Sequence, residues 1–424
     1  MSKTIKSDAE KYDKKTPLEH ILLRPDTYIG DNEPTTEEMH VFETDKIIKK
    51  KITYIPGLFK IVDEVYVNAS DASKNDTTCD EIIINCNKEF ISVQNNGDNG
   101  IPVEKHPTHK SYVPTMIFGE LLTSSNYNDD EKRTTGGRNG YGAKLANIFS
   151  TKFIIEIADA KRNKLFTQTW NNNMQTVEEP VISKLTKTKS YVKVTFYPDF
   201  KRFNIDCLDD DHIALFHRRA IDISGTSENK LKVTFNNIKI NITNFKQYID
   251  LYYHGNDVFF DNSNDRWTVG CIYKPDSNEM VSFVNSISTY RGGTHCNHVT
   301  DMILKPLITD YIKKKDKDIK INTTQLRENL IFFINSTIEN PAFSSQTKDT
   351  LTTKIDKFGS KYTPNATFMK KLSKCGIVEQ VIELAKFKET SSLKKTDGKK
   401  QVRILSLIHI SEPTRQAEIS YAVF

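Results

Sequence analysis

Four glycines fall within seven residues, at Gly136, Gly137, Gly140 and Gly142, and a helical apolar pattern through Leu145 and Ile148 begins directly behind them. Glycine lets a backbone adopt turns and close approaches that side chains forbid. Placed at the start of a helix, such a loop can turn its N–H groups towards phosphate oxygens. The spacing from Gly137 to Gly142 fits the first part of a Walker A loop. Ala143 stands where that motif needs lysine, and Leu145 follows Lys144, so no hydroxyl is placed for Mg²⁺. A P-loop architecture is therefore disfavoured, and phosphate binding would have to use another one.

Two further motifs precede this loop. From Ile55 to Ala72, Leu58, Phe59, Val62, Val65, Tyr66 and Ala69 recur at helical spacing, with Pro56-Gly57 at the start. Glu64, Asn68 and Asp71 share one face of that helix. A carboxylate can take a proton from water, and an amide oxygen is a hard ligand for Mg²⁺. Taken alone, the same face equally describes a solvated helix surface. Next come two strands, Glu81 to Cys86 and Phe90 to Gln94, around a turn at Asn87-Lys88, and then the loop Asn95-Asn96-Gly97-Asp98-Asn99-Gly100. Its glycines could close over a flat ligand, and an amide could read a base edge. An ordinary strand-ending turn has the same composition.

Composition narrows the class. With 37% apolar and 27% charged residues, the 424-residue chain suits a globular protein of two or three domains. The longest apolar run, Leu330 to Ile334, is far below the ~20 residues that cross a bilayer. The polar N-terminal run carries no signal-peptide pattern. The six cysteines form no C-x-x-C pair, and the His295-Cys296-Asn297-His298 cluster has no second ligand pair, so both read as structural. Phe153 to Phe203 alternates as antiparallel strands. Residues 255–266, rich in Asn and Asp, read as a boundary, and residues 366–388 carry an amphipathic helical pattern. Leu405 to Phe424 breaks from the lysine-rich sequence before it and resembles a translated sequencing adapter, so the natural sequence is expected to continue past Arg403.

The order of helix, glycine loop and glycine-rich lid resembles the Bergerat-type (GHKL) ATPases. Within that group the wording is similar to eukaryotic-type DNA topoisomerase II. The similarity runs through Thr16–Gly30, Phe118–Phe153, Ser282–His295 and Asn340–Thr352. The resemblance implies an α+β fold: an N-terminal arm over 1–17, a GHKL ATP-binding α/β sandwich over 18–258, and a transducer domain of ribosomal-protein-S5-like α/β fold with a C-terminal linker helix over 259–403. Residues 404–424 form the foreign tail. It implies Glu64 as the general base and Asn68 as the Mg²⁺ ligand. It implies Asn95 at the adenine, with Ser124, Ser125 and Asn126 also on the nucleotide. Gly137, Arg138, Asn139, Gly140, Tyr141, Gly142, Ala143 and Lys144 would form the lid. Gln346, Thr347 and Lys348 would form a transducer loop, with Lys348 on the γ-phosphate. Tyr12 would reach the partner subunit's nucleotide. Two departures stand out. The loop NNGDNG is one residue longer than the family's NNGxG, which leaves Asn95 and Asn96 both open as the adenine reader. Ala72 stands where relatives commonly carry asparagine.

The implied function is an ATP-driven gate: ATP and Mg²⁺ bind, two copies join, and a DNA duplex is captured for strand passage in the nucleus. Lys313, Lys314 and Lys315 would touch that duplex, with no membrane involved. No segment resembles a DNA-cleaving domain. The rival readings are a DNA clamp switched by ATP without appreciable hydrolysis, and a GHKL ATPase of the mismatch-repair or chaperone type.

Overall fold

The computed structural model describes residues 12–123, 131–137, 140–186, 189–228, 231–253 and 258–396. Besides the two-stranded hairpin Thr35–Glu43 and Lys46–Tyr54, two large sheets organise these residues. The larger, nine-stranded among the described residues, runs from the edge pair Ile238–Lys239 and Lys232–Phe235 through Glu81–Cys86, Ile91–Asn96, Tyr191–Pro198 and Ser150–Asp159 to Lys164–Asn171. The short strands Thr176–Val177 and Val181–Lys184 both pair with the last of these. All pairings are antiparallel except Lys232–Phe235 on Glu81–Cys86. The alternating burial of Ile82, Ile84 and Cys86, and of Phe153, Ile155 and Ile157, turns one face of this sheet into the core.

Among the described residues, three helices pack over that face. The longest, Pro56–Asn75, starts on a proline, whose missing N–H costs nothing in a first turn. It lies between helix Gly142–Ile148, helix Asp210–Thr226 and the sheet. Its polar residues Lys60, Asp63, Glu64, Ser70 and Asp71 are therefore buried together with its apolar ones. The expectation of a solvated face fails here because the helix is enclosed on nearly every side.

The smaller sheet runs Val258–Asn264, Trp267–Tyr273, Leu330–Ser336, Met280–Val284 and Ile287–Ser288. Leu330–Ser336 lies in its middle and is buried throughout. Ile331 and Phe333 pack into the first core, while Leu330, Phe332 and Ile334 face a second core with helices Thr294–Pro306, Ala366–Leu372 and Ile377–Thr396. A central strand covered on both faces is written as a continuous apolar run, which is how these residues read. The sheet thus has one face against the larger sheet's domain and the other against its own helices.

Two expectations change. Residues 255–266 are not simply a boundary: Val258–Asn264 is an edge strand, and the Asn/Asp-rich sequence makes its hairpin turn. Asp261 is buried and accepts from Ser263, Tyr362 and the Asn365 N–H. The amphipathic stretch 366–388 is two helices, broken after Leu372, with Gly376 at φ +100° ahead of the second. The proposed tail, 404–424, lies outside the described residues.

Candidate functional site

A cavity of about 980 Å³ opens between the helix Pro56–Asn75, the end of strand Ile91–Asn96, the start of helix Gly142–Ile148 and the loop Pro341–Lys348. Among its lining residues are Glu64, Asn68, Asn95, Asn96, Gly137, Gly140, Tyr141, Gly142, Ala143, Lys144, Gln346 and Lys348. Residues far apart in sequence therefore meet at one opening. Ser124, Ser125, Asn126, Arg138 and Asn139 lie outside the described residues. Thr347 does not line the cavity; its hydroxyl turns to Ser345 Oγ and Asp349 Oδ1 and braces the loop. Tyr12 is 89% exposed and away from the cavity.

Glu64 is the electrostatic centre. Lys348 Nζ donates to its Oε1 at 2.9 Å and Oε2 at 3.2 Å, across 284 residues of sequence. Lys60, one turn back, brings its ammonium to 2.6 Å from Oε1, as an ion pair rather than an aligned hydrogen bond. All three side chains are buried. Burial alone would raise the carboxyl's pKa, but the charges of Lys348 and Lys60 override it and hold it at about 2. Lys348 is pushed up in turn: burial opposes its charge, and Glu64 more than restores it. Its backbone sits at φ +62°, a left-handed conformation uncommon outside glycine. Such strain persists only where surroundings enforce it. Here the enforcers are backbone bonds from Lys348 N to Ser345 O and from Arg291 N to Asp349 O, with Gly293 backed against Leu351.

Lys60 was not legible as a site residue, although its i, i−4 relation to Glu64 was there to be read. Behind Glu64, Asp63 accepts from the fully buried Arg219 at 2.6 Å. Asp71 accepts from Gly136 N at 2.9 Å and Gly137 N at 3.0 Å, fixing the entry to the glycine loop. Gly142 lies so close to Glu64 that a Cβ would come within 2.3 Å of Oε2. Lys144 is buried and donates to the carbonyls of Thr123 and Gly140; burial lowers its pKa to about 8.

At the far end, Asn96 Oδ1 accepts from the N–H groups of Asp80 and Glu81, and its Nδ2 donates to Asp80. Its amide is consumed in holding two strands together. Asn95 Nδ2 donates to Asn96 O at 3.1 Å, leaving Oδ1 as its acceptor. The longer loop is pinned at the cavity's rim: Asn99 N donates to Asp76 and Asp98 N to Thr78, with Gly97 at φ +136°. Asn68 is exposed to the cavity. No group of three or more His, Cys, Asp or Glu is arranged for a metal among the described residues. His295 and His298 are buried, with burial lowering both pKa values, and they bond Thr289 and the Tyr362 N–H, which is a structural role.

Elsewhere, Lys313, Lys314 and Lys315 end a continuous helical segment after Leu307–Ile312. Lys315 is ion-paired with Glu379. No described helix is long and apolar enough to cross a membrane.

The family model for DNA gyrase B matches residues 225–401. The DNA topoisomerase 2 of Arabidopsis thaliana is 46% identical over 411 residues, covering 94% of this chain and 28% of that protein. This chain therefore spans less than a third of that relative's length. Among solved structures, the ATPase region of Saccharomyces cerevisiae topoisomerase II matches with a TM-score of 0.85 at 44% identity, over 90% of this chain and all of that one. The ATPase and transducer domains of DNA topoisomerase II from Balamuthia mandrillaris match with a TM-score of 0.87 at 42% identity, over 91% of this chain and 100% of that one.

Proposed function

This chain belongs to the type II DNA topoisomerase family, within its ATPase region, and on that premise we propose that it binds and hydrolyses ATP in the 980 Å³ cavity to work a gate for DNA. The observation that carries this reading is the meeting of Glu64 and Lys348, from separate parts of the chain, at the mouth of a glycine loop. In the division proposed, 18–258 bind the nucleotide and 259–403 form the transducer, with 1–17 as an arm.

Adenine lies at Asn95, whose Oδ1 is an acceptor suited to the exocyclic amine. The amide of Asn96 is already spent, which supports Asn95 as the reader. The phosphates run towards Gly137–Lys144, and the terminal phosphate reaches Lys348. Asn68, which faces the cavity, would hold Mg²⁺ through its amide oxygen alongside the phosphates, in keeping with that ion's preference for hard oxygen ligands. When bound, the ion neutralises phosphate charge. Glu64 orients a water for in-line attack on the γ-phosphorus and takes its proton, while the bond to the β,γ-bridging oxygen breaks, giving ADP and phosphate.

In the geometry seen, Glu64 is a poor base, because two ammonium groups hold its pKa at about 2. A terminal phosphate competes for Lys348 and draws it away, which raises the basicity of Glu64 at the moment the substrate is in place. The ion pair thus guards against idle chemistry. In the full-length protein, ATP-driven pairing of two copies would capture a DNA duplex for relaxation and decatenation in the nucleus. Lys313 and Lys314 would contact its backbone, with the arm of each copy, including Tyr12, closing over its partner.

The test is steady-state ATP turnover by the chain and by Glu64→Ala, with nucleotide affinity measured in parallel. Hydrolysis is expected to vanish and binding to persist. Equal turnover in both would remove Glu64 from the mechanism.

A further inference from the structure

Resting on the ATP-site reading, we propose that Asn340 and Asn285 are positioning residues that hold the segment entering the glycine loop in register with the Lys348 loop, so that both halves of the phosphate site move as one. The segment Glu131–Gly137 belongs by sequence to the first part of the chain. It is hydrogen-bonded to the second as well. Asn340 N donates to Arg133 O at 2.8 Å, and Arg133 N donates back to Asn340 Oδ1 at 3.1 Å. Asn340 Nδ2 reaches Glu131 O at 3.1 Å. One residue thus grips two positions of the incoming strand, eight residues ahead of Lys348.

Asn285 makes the second grip. It lies with Ser286 in the two-residue turn joining Met280–Val284 to Ile287–Ser288, both at positive φ (+52° and +63°). Its Nδ2 donates to Ile338 O at 2.9 Å and also approaches Thr135 O at 3.4 Å, while Ile338 N donates to its Oδ1 at 2.9 Å. Ile338 to Asn340 is therefore locked to this turn and to the loop-entry segment at once. Gly136 is seated so tightly on the turn that a Cβ would lie 2.6 Å from Ile287 Cδ1.

The helix that carries Glu64 joins the same point. Lys74 Nζ donates to Asn285 O at 2.5 Å and pairs with Asp71 at 3.7 Å, and Asp71 in turn holds Gly136 and Gly137. Arg219 donates to Ser286 O at 2.8 Å and to Asp63, the neighbour of Glu64. Base, loop entry and phosphate-sensing lysine are thus wired through one turn. Displacing any of them tugs on the others, as coupling through a contiguous bonded network requires.

The test uses glycine, because both asparagines sit at positive φ and glycine keeps that backbone without strain. In Asn340→Gly and Asn285→Gly, kcat for ATP should fall about ten- to hundred-fold, the scale on which small misplacements of catalytic groups act. KM should stay within about two-fold. Amide hydrogen exchange adds a readout that loss of stability alone would not give. A non-hydrolysable ATP analogue should protect 131–137 and 341–349 together in the parent chain, and Asn340→Gly should lose protection at 131–137 while keeping it at 341–349. Asn236→Gly, in a distant hairpin turn at φ +47°, controls for generic destabilisation and should keep its kcat. Parental kcat with joint protection in both variants would overturn the coupling. A parent chain that neither binds nor hydrolyses ATP would instead overturn the reading beneath it.

Discussion

Glu64 lies between Lys60 and Lys348 and balances these two buried ammonium groups, with Asp63 a second carboxylate 3.6 Å from Lys60. Removing one partner of a buried pair typically costs about 3–5 kcal/mol, because the charge left behind has lost its counterion. Glu64→Gln should therefore lower stability by about 3 kcal/mol without nucleotide. Phosphates can replace the missing charge, so an ATP analogue should raise the melting temperature of Glu64→Gln more than that of the parent. Equal ligand shifts in thermal denaturation would contradict this. The pH dependence has a definite sign. The folded carboxyl titrates at about 2, below its ordinary 4.5, so the stability its charge supplies is complete above about pH 4.5 and drains away as pH falls towards 2. Chemical denaturation across that window should show the gap between parent and Glu64→Gln closing. Lys60, which makes this prediction possible, was visible in sequence only as a lysine one turn from a candidate base. Its burial comes from tertiary enclosure of the helix, which a helical pattern does not encode.

The loop carrying Lys348 owes its shape to a neighbouring turn, where Gly293, at φ +140°, lies against Leu351. A Cβ there would sit 2.4 Å from Leu351 O and 2.6 Å from Leu351 N, which are backbone atoms that cannot swing aside. Gly293→Ala should cost about 1–3 kcal/mol in backbone strain and reduce turnover by displacing Lys348; unfolding curves and ATPase assays measure the two effects. The helix end Lys313–Lys315 divides differently from its sequence. Lys315 is engaged by Glu379, so Lys313→Ala with Lys314→Ala should reduce DNA stimulation of the ATPase more than Lys315→Ala, with basal turnover unchanged. The comparison belongs at low salt, where phosphate contacts count most. Unchanged stimulation in every variant would place all three on a merely solvated surface. The helix from Pro56 was legible from its periodicity, whereas the apolar run Leu330–Ile334 spoke only against a membrane span and did not mark the buried strand Leu330–Ser336 that it forms. The stretch 255–266 read as a boundary without showing the edge strand Val258–Asn264 that it carries, because Asn and Asp mark hairpin turns as readily as linkers, and only pairing partners distinguish the two.

Across the whole molecule, the decisive contact joins residues 284 positions apart. No spacing or periodicity predicts such a contact, and it was anticipated only through the family resemblance. The same limit explains why Asn340 and Asn285 passed unnoticed within motifs that were recognised as wholes. The proposed gate turns on Lys348 leaving Glu64 for the terminal phosphate of a nucleotide. The most direct measurement is calorimetric titration of ADP and of a β,γ-imido ATP analogue into the parent chain and Lys348→Met. The parent should prefer the analogue, and Lys348→Met should lose that preference while its affinity for ADP stays unchanged. An undiminished preference for the analogue in Lys348→Met would mean that this lysine does not sense the third phosphate, and the proposed gate would have lost its trigger.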